Sequence, residues 1–280
     1  MNDKFEIIYI IGAGRSGSTL LDIIIGNNVN HFSCGELNRF SERNGQPHNP
    51  RDIEVSNFWN EVYLKVRHFF PQIKSISRKM EYHFFFLHKF FLTKAKKETY
   101  IKFNKELFDS IYINSKYQKI IIDSGKYPFR ALQLYKIFGN QVKFIYLKKS
   151  PLEVVESFQK RDLEQPNSPR FLAHLYLFYV NCICKIVFKK IKSKKVEIFY
   201  DDLLYNLPNC LMLIEKKLDI SLENLINKIE RNEDFDVGLL FDSNRIRLNY
   251  QLKIIKIKKK IKKLSLLDVI LLRLHKIFWF

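Results

Sequence analysis

Short apolar runs, separated by polar turns and by longer stretches of helical period, set the plan of this chain. Phe5, Ile7, Ile8, Tyr9, Ile10 and Ile11 form an almost unbroken apolar run of the kind a central parallel strand needs. Leu20 to Ile25 continues as an apolar helix, and Val29 to Cys34 reads as a second short strand running into Gly35-Glu36. Asn44 to Asp52 is polar, carries two prolines and reads as a surface loop. Lys119 to Asp123, Val142 to Leu147 and Val196 to Tyr200 are three further strands by the same criterion. Helices are expected over Ala131 to Phe138, from Pro151 at a permitted first-turn position, and over Phe171 to Ile191. Strands alternating with helices predict an α/β fold of three layers, a central parallel sheet flanked by helices. Ligands of such a sheet gather at the carboxyl ends of its strands.

Two regions depart from that rhythm. Phe58 to Lys105 is helical in pattern and rich in Lys, Phe and Tyr. Phe69, Phe70, Phe84, Phe85, Phe86, Phe90 and Phe91 are too many for one stripe. They read as core or pocket wall in preference to a stacking platform for nucleic acid. Lys253 to Lys263 (KIIKIKKKIKK) is a dense charge run, followed by Leu264 to Phe280. This tail can form a cationic amphipathic helix, either packed on the domain or in peripheral contact with an anionic membrane. The organisation expected is a domain over 1–250, with a helical insertion over 58–105, and a basic amphipathic C-terminal helix over 251–280.

The 280 residues, 46% hydrophobic, suffice for one large domain with its own core. A formal net charge of +19 favours an anionic partner: nucleotide, polyanion, nucleic acid or anionic lipid. Cys34, Cys182, Cys184 and Cys210 show no metal spacing, and Cys182-x-Cys184 is too tight for a zinc knuckle. Thiols in a reducing compartment are the simpler reading. Asp3 and Glu6, with an apolar run that stops at Gly12, do not make a signal peptide. No apolar run is expected to reach the length of a membrane span. A cytoplasmic location is expected, with the tail available for the inner membrane surface.

The first strand runs into Gly12-Ala13-Gly14-Arg15-Ser16-Gly17-Ser18-Thr19. Glycines let this backbone turn tightly and approach a ligand closely, and a helix N-terminus that follows presents free N–H groups to an anion. Arg15 adds a permanent charge with a fork suited to phosphate or sulfate oxygens. Gly12 to Thr19 has the spacing of a nucleoside-triphosphate loop, but Ser18 stands where the phosphate-gripping Lys belongs. Gly12, Gly14 and Gly17 also satisfy the dinucleotide fingerprint, with Glu36 near the place of its ribose-binding acid.

Four later segments carry further chemistry. In Phe32 to Leu37 (FSCGEL), Glu36 follows a strand end and faces the expected ligand site. Ile122 to Arg130 (IDSGKYPFR) carries Lys126, and its Asp123 can be read as a magnesium-holding acid, against which the missing loop Lys argues. In Lys143 to Arg161, a strand ends in basic residues that include Lys149, and Ser157 and Arg161 lie four apart on one helix face. Asp242 to Leu248 (DSNRIRL) is a short polar and basic loop, and Val196 to Leu204 contains Tyr200-Asp201-Asp202-Leu203.

In order and spacing these segments resemble the sulfotransferases that use 3′-phosphoadenosine 5′-phosphosulfate, over roughly residues 5 to 250. Arg15-Ser16-Gly17-Ser18-Thr19-Leu20 resembles the arginine-containing 5′-phosphosulfate loop of tyrosylprotein, bacterial and carbohydrate enzymes. The resemblance implies a P-loop-like fold in which Gly14, Arg15, Ser16, Gly17, Ser18 and Thr19 cradle the 5′-phosphosulfate. It implies that Lys149, Ser157 and Arg161 hold the 3′-phosphate, Lys149 standing where the family has Arg. It makes Glu36 the general base, and Lys126, with Arg15, the stabiliser of charge on the departing phosphate. Asn244 and Arg247 match a late element that closes over the nucleotide, and Tyr200 to Leu203 match one expected to be structural. No metal is implied, and the region 58–105 is where such enzymes vary to fit an acceptor hydroxyl, of a glycan or glycolipid among others. The rivals are a P-loop nucleotide kinase or hydrolase, a Rossmann oxidoreductase, and a basic protein that binds polyanions or membrane without catalysis. Nucleic acid is not the expected partner. The sulfotransferase reading requires Arg15 and Arg161 to share one cleft.

Overall fold

A computed structural model describes residues 4–159, 169–253 and 266–279. In chain order the elements begin with β1 (Glu6–Gly12), α1 (Ser18–Gly26), β2 (His31–Ser33), α2 (Asn38–Glu42), α3 (Ile53–Val66) and α4 (Phe70–Glu81). A 3-10 segment (His83–Phe91) leads to α5 (Lys94–Asn114), β3 (Ile120–Lys126), α6 (Pro128–Phe138) and β4 (Val142–Lys148). Then come α7 (Pro151–Gln159), α8 (Arg170–Lys190), β5 (Lys195–Phe199), α9 (Tyr200–Tyr205), α10 (Leu207–Leu218) and α11 (Glu223–Glu230). The short strands β6 (Phe235–Asp236) and β7 (Gln251–Leu252) and the helix α12 (Leu266–Trp279) complete the described chain.

The five main strands form one parallel sheet in the order β2-β3-β1-β4-β5. Strand β1 is central because it can be buried on both faces. Ile7, Tyr9 and Ile11 point into the layer formed by α3 to α8, while Ile8 and Ile10 pack with α1, α10 and α11. This is the three-layer α/β arrangement expected from the sequence. The order also separates it from a dinucleotide fold, in which β2 would lie next to β1. Here β3 takes that place, and the chain crosses it to reach β2.

Local differences from the sequence reading have simple causes. Strand β3 continues through Ser124 and Gly125 to Lys126, because pairing with β1 carries it further. Helix α6 starts at Pro128, whose fixed φ suits a first turn. Tyr200 opens helix α9 instead of ending β5, with Asp201 and Asp202 in the first turn, where the helix dipole favours acids. Gln251 and Leu252, assigned to the tail, pair with Asp236 and Phe235 instead. Helix α8 is long and apolar enough to cross a membrane, against expectation. In this fold it flanks the sheet and buries Ala173, Leu177, Val180 and Cys184.

The region 58–105 is helical, as expected, and is locked to the sheet by a buried ion network. Arg130 of α6 donates to Asp123 of β3 at 2.9 Å and to Glu81 of α4 at 2.6 Å, and Tyr100 of α5 donates to Glu81 at 2.7 Å. Phe69 and Phe70 pack against the core, whereas Phe90 and Phe91 are exposed. The side chains of Phe85 and Phe86 lie outside the described ones, as do residues 254–265 of the basic run. Helix α12 is held to α8 by Asp268, which accepts two hydrogen bonds from Arg170 and lies 3.2 Å from the His174 ring.

Candidate active site

The carboxyl ends of β1, β3 and β4 and the N-terminus of α9 surround one cavity of about 530 Å³. Its floor is the turn after β1. Arg15 and Gly17 both have left-handed backbones, at φ 67° and 96°. A Cβ at Gly17 would lie 2.3 Å from the Tyr200 ring, so glycine is required there on two counts. Helix α1 then starts at Ser18 with no side-chain cap and no acid in its first turn. Its N–H groups and positive dipole end are left to whatever enters the cavity. Arg15, Ser18 and Thr19 line this floor beside Gly14. Ser16 does not: it is buried inside the turn, where its N–H donates to Ala13 at 3.3 Å.

Lys126 reaches the cavity through a break in sheet register. Tyr9 pairs with Asp123 but Ile11 pairs with Lys126, so β3 carries an extra residue there. Such a bulge re-aims the side chain beyond it, and the left-handed φ of 65° at Lys126 completes the redirection. Lys126 Nζ then meets Glu36 Oε1 at 2.5 Å.

Glu36 is fixed from its backbone outward. Gly35 has φ 75°, and a Cβ there would strike the Asp242 carbonyl at 2.3 Å. The Glu36 N–H donates to that carbonyl at 2.7 Å, and the Gly35 N–H donates to the buried Asp22 carboxylate at 3.0 Å. Burial raises Asp22 to about 7, although Ser124 and Ser33 hydrogen bonds oppose the shift. Asp242, which also lines the cavity, is raised to about 6 by burial and by Glu36, against the pull of Arg43 and Arg247.

On the far side of the floor, Lys149 and Ser157 line the same cavity as Arg15. Lys149 Nζ sits 3.9 Å from the centroid of the Tyr200 ring, a cation–π contact that restrains a flexible side chain. Arg161 lies outside the described residues. The expectation that Arg161 shares a cleft with Arg15 is therefore untested, although Ser157 does line the cavity. Asn244 lines the cavity and accepts the Arg245 N–H at 2.6 Å. Arg247 is turned inward instead, donating to the Ser243 and His48 carbonyls at 3.0 and 2.6 Å, while Arg245 takes the cavity wall. Asp123 is engaged by Arg130 beneath the site and is not in its lining, so it is not disposed to hold magnesium. Among the described residues no cluster of His, Cys, Asp or Glu could hold a metal.

The opposite wall is aromatic. Tyr82 and Tyr127 meet edge to face at 4.9 Å, Phe158 and Tyr176 likewise at 5.6 Å, and Phe84 and Leu172 complete it. Arg39 stands between the two walls, 2.9 Å from Glu42 and 4.0 Å from Glu36. Arg39, Tyr127, Tyr200 and Asp242 were not anticipated as site residues. Tyr127, Tyr200 and Asp242 lie in segments that the resemblance singled out, but only for other residues or, for Tyr200, as structure; no sequence signal marks Arg39.

No family model matches this sequence, and no curated protein matches it either. Its likenesses are in three dimensions. The sulfotransferase domain of the curacin biosynthetic pathway superposes with a TM-score of 0.55 at 18% identity, over 89% of this chain and 83% of that one. The sulfotransferase domain of the Synechococcus PCC 7002 olefin synthase gives 0.51 at 18% identity, over 98% and 94%. Sulfotransferase STF1 from Mycobacterium tuberculosis gives 0.52 at 11% identity, over 83% and 72%. The chain thus has the fold of sulfotransferase domains, a parallel P-loop-like sheet with helices on both faces.

Proposed function

We propose that this protein transfers a sulfuryl group from 3′-phosphoadenosine 5′-phosphosulfate to an acceptor hydroxyl, of a glycan or glycolipid in the first instance. The observation that carries this reading is the joining of two cationic, hydroxyl-bearing sets, Arg15-Ser18-Thr19 and Lys149-Ser157, in one cavity with the Glu36–Lys126 pair between strand ends. The donor set suits a nucleotide with phosphate at both ends. The uncapped α1 N-terminus and Arg15 would hold the 5′ group, and Lys149, Ser157 and Arg161 the 3′-phosphate. Asn244 and Arg245 would close over the nucleoside.

The donor supplies an activated sulfuryl group, and its sulfur–oxygen bond to phosphate breaks as the bond to the acceptor oxygen forms. Glu36 takes the acceptor proton during that attack. Lys126 and Arg15 stabilise the charge that collects on the departing phosphate oxygen, which leaves as adenosine 3′,5′-bisphosphate. Four unpaired thiols agree with a reducing, cytoplasmic setting.

A thermal-shift screen with adenosine 3′,5′-bisphosphate, ATP and NAD tests the donor, because a ligand specific for the native state raises the melting temperature. Stabilisation by the bisphosphate alone is expected. A response to ATP that requires magnesium would favour a nucleotide kinase, and a response to NAD an oxidoreductase. Transfer of label from radiolabelled donor to a panel of glycans and lipids then tests the reaction.

A further inference from the structure

The aromatic wall of the cavity does not stop at its mouth. Phe84, half exposed, stacks on Tyr179 of α8 at 5.6 Å, which lays the beginning of the 3-10 segment against the middle of that helix. From there the segment runs outward through exposed Leu87 to Phe90 and Phe91, which are 70% and 84% exposed. On the α8 side, Leu172 both lines the cavity and is half exposed, and Phe171 and Leu175 are exposed next to it. Large apolar groups exposed along a segment that begins in the cavity wall, and beside the cavity lining on α8, are uncommon on a surface that faces only water.

Among the described residues, the charges that follow the segment are mainly cationic, with Glu98 the first acid after three lysines. Lys94, Lys96 and Lys97, which come after Leu92 and Thr93, are exposed and occupy the first turn of α5, which contains no acid. Cations at a helix N-terminus oppose the macrodipole, so helix stability does not account for them. An insertable aromatic edge backed by exposed lysines, on a chain of net charge +19, is complementary to an anionic lipid surface.

We propose that the 3-10 segment and the first turns of α8 dock the cavity mouth on an anionic bilayer, with Phe90 and Phe91 entering the headgroup layer. This rests on the proposed function only in naming that mouth the acceptor side; the docking surface itself is read from exposure and charge. The site differs from the C-terminal basic run, which lies elsewhere in the sequence.

Flotation of the full chain with vesicles tests it, using phosphatidylcholine alone and phosphatidylcholine mixed with phosphatidylglycerol. The protein is expected to float with the anionic vesicles and not with the neutral ones. The exposed double variant Phe90→Ser/Phe91→Ser should reduce that binding about tenfold or more. Lys94→Glu/Lys96→Glu/Lys97→Glu should weaken binding to the anionic vesicles severalfold, and unchanged binding by this variant would overturn the role of these lysines. Both should keep the wild-type thermal shift with adenosine 3′,5′-bisphosphate. Wild-type flotation by the Phe double variant overturns the proposal, as does failure of the wild type to float. A wild-type dimer that the Phe variant dissolves, without flotation, would assign the rim to a second copy of this chain instead. Absence of a bisphosphate shift in the wild type would count against the donor assignment and leave the docking result intact.

Discussion

Glu36 and Lys126 meet at 2.5 Å although they leave the sheet from different strands, one through a tight glycine turn and the other through a bulge. Each therefore fixes the other at the place where the proposed transfer needs both a base and a cation. Glu36→Gln is expected to retain bisphosphate binding and lose about 10²–10⁴-fold in kcat, the usual contribution of a general base. Lys126→Ala should lower kcat comparably, and the double variant should lose less than the two single effects combined, because each residue orients the other. Normal turnover by Glu36→Gln would show that the base lies elsewhere.

Arg15 allows backbone and charge to be separated. Its φ of 67° is one that glycine adopts without strain. Arg15→Gly should melt no more than marginally below the wild type, whereas its affinity for adenosine 3′,5′-bisphosphate should fall about tenfold to a hundredfold, the value of a charge-assisted contact. Calorimetric titration alongside thermal melting reads both. Unchanged affinity would remove Arg15 from the donor site.

Tyr200 touches the loop and Lys149 at once. Tyr200→Phe keeps the ring, and both contacts with it, so near-wild-type donor affinity is expected. Tyr200→Ala frees Lys149 and opens space above Gly17, and a loss of about three- to thirtyfold in affinity follows from the range of cation–π energies. Equal affinities in the two variants would sink this role.

Asp22 gives a pH signature. Its folded value of about 7 lies above the unfolded value near 4, so the native state holds the extra proton between them. Stability from this group is therefore largest at low pH and is lost as pH rises from about 4 to about 7, by up to about 4 kcal/mol. Asp22→Asn keeps an acceptor for Gly35 and Ser124 and should remove that decline. Melting temperatures across the interval compare the slopes; identical slopes would mean Asp22 is ionised throughout.

The sequence revealed the parts of the site that are local. The strand-turn-helix from Phe5 to Leu21, the position of Glu36 after β2 and that of Lys126 after β3 all follow from short-range pattern and strand direction. What it concealed depends on contacts between distant segments, or on the phase of very short helices. Arg245 and Arg247 sit in a 3-10 turn of four residues, too short for apolar periodicity to say which one faces inward. The burial of Arg247 follows from the His48 carbonyl, which belongs to a loop with no pattern of its own. Tyr200 reads as the end of a strand until the acids after it are seen to begin a helix. Phe90 and Phe91 were grouped with core aromatics because composition counts rings and does not say where they point.

The parallel bridge between Gly35 and Asp242 has an implication for biosynthesis. The turn that presents Glu36 is completed only when the chain near Phe241 and Asp242 returns to it, with the Phe241 N–H on the Cys34 carbonyl. A ribosome-bound fragment that stops short of this segment already contains β1 to β5, yet it lacks the brace that positions its carboxylate. Catalytic competence should therefore arrive late, after the sheet has formed, and abruptly, as the emerging chain passes that point.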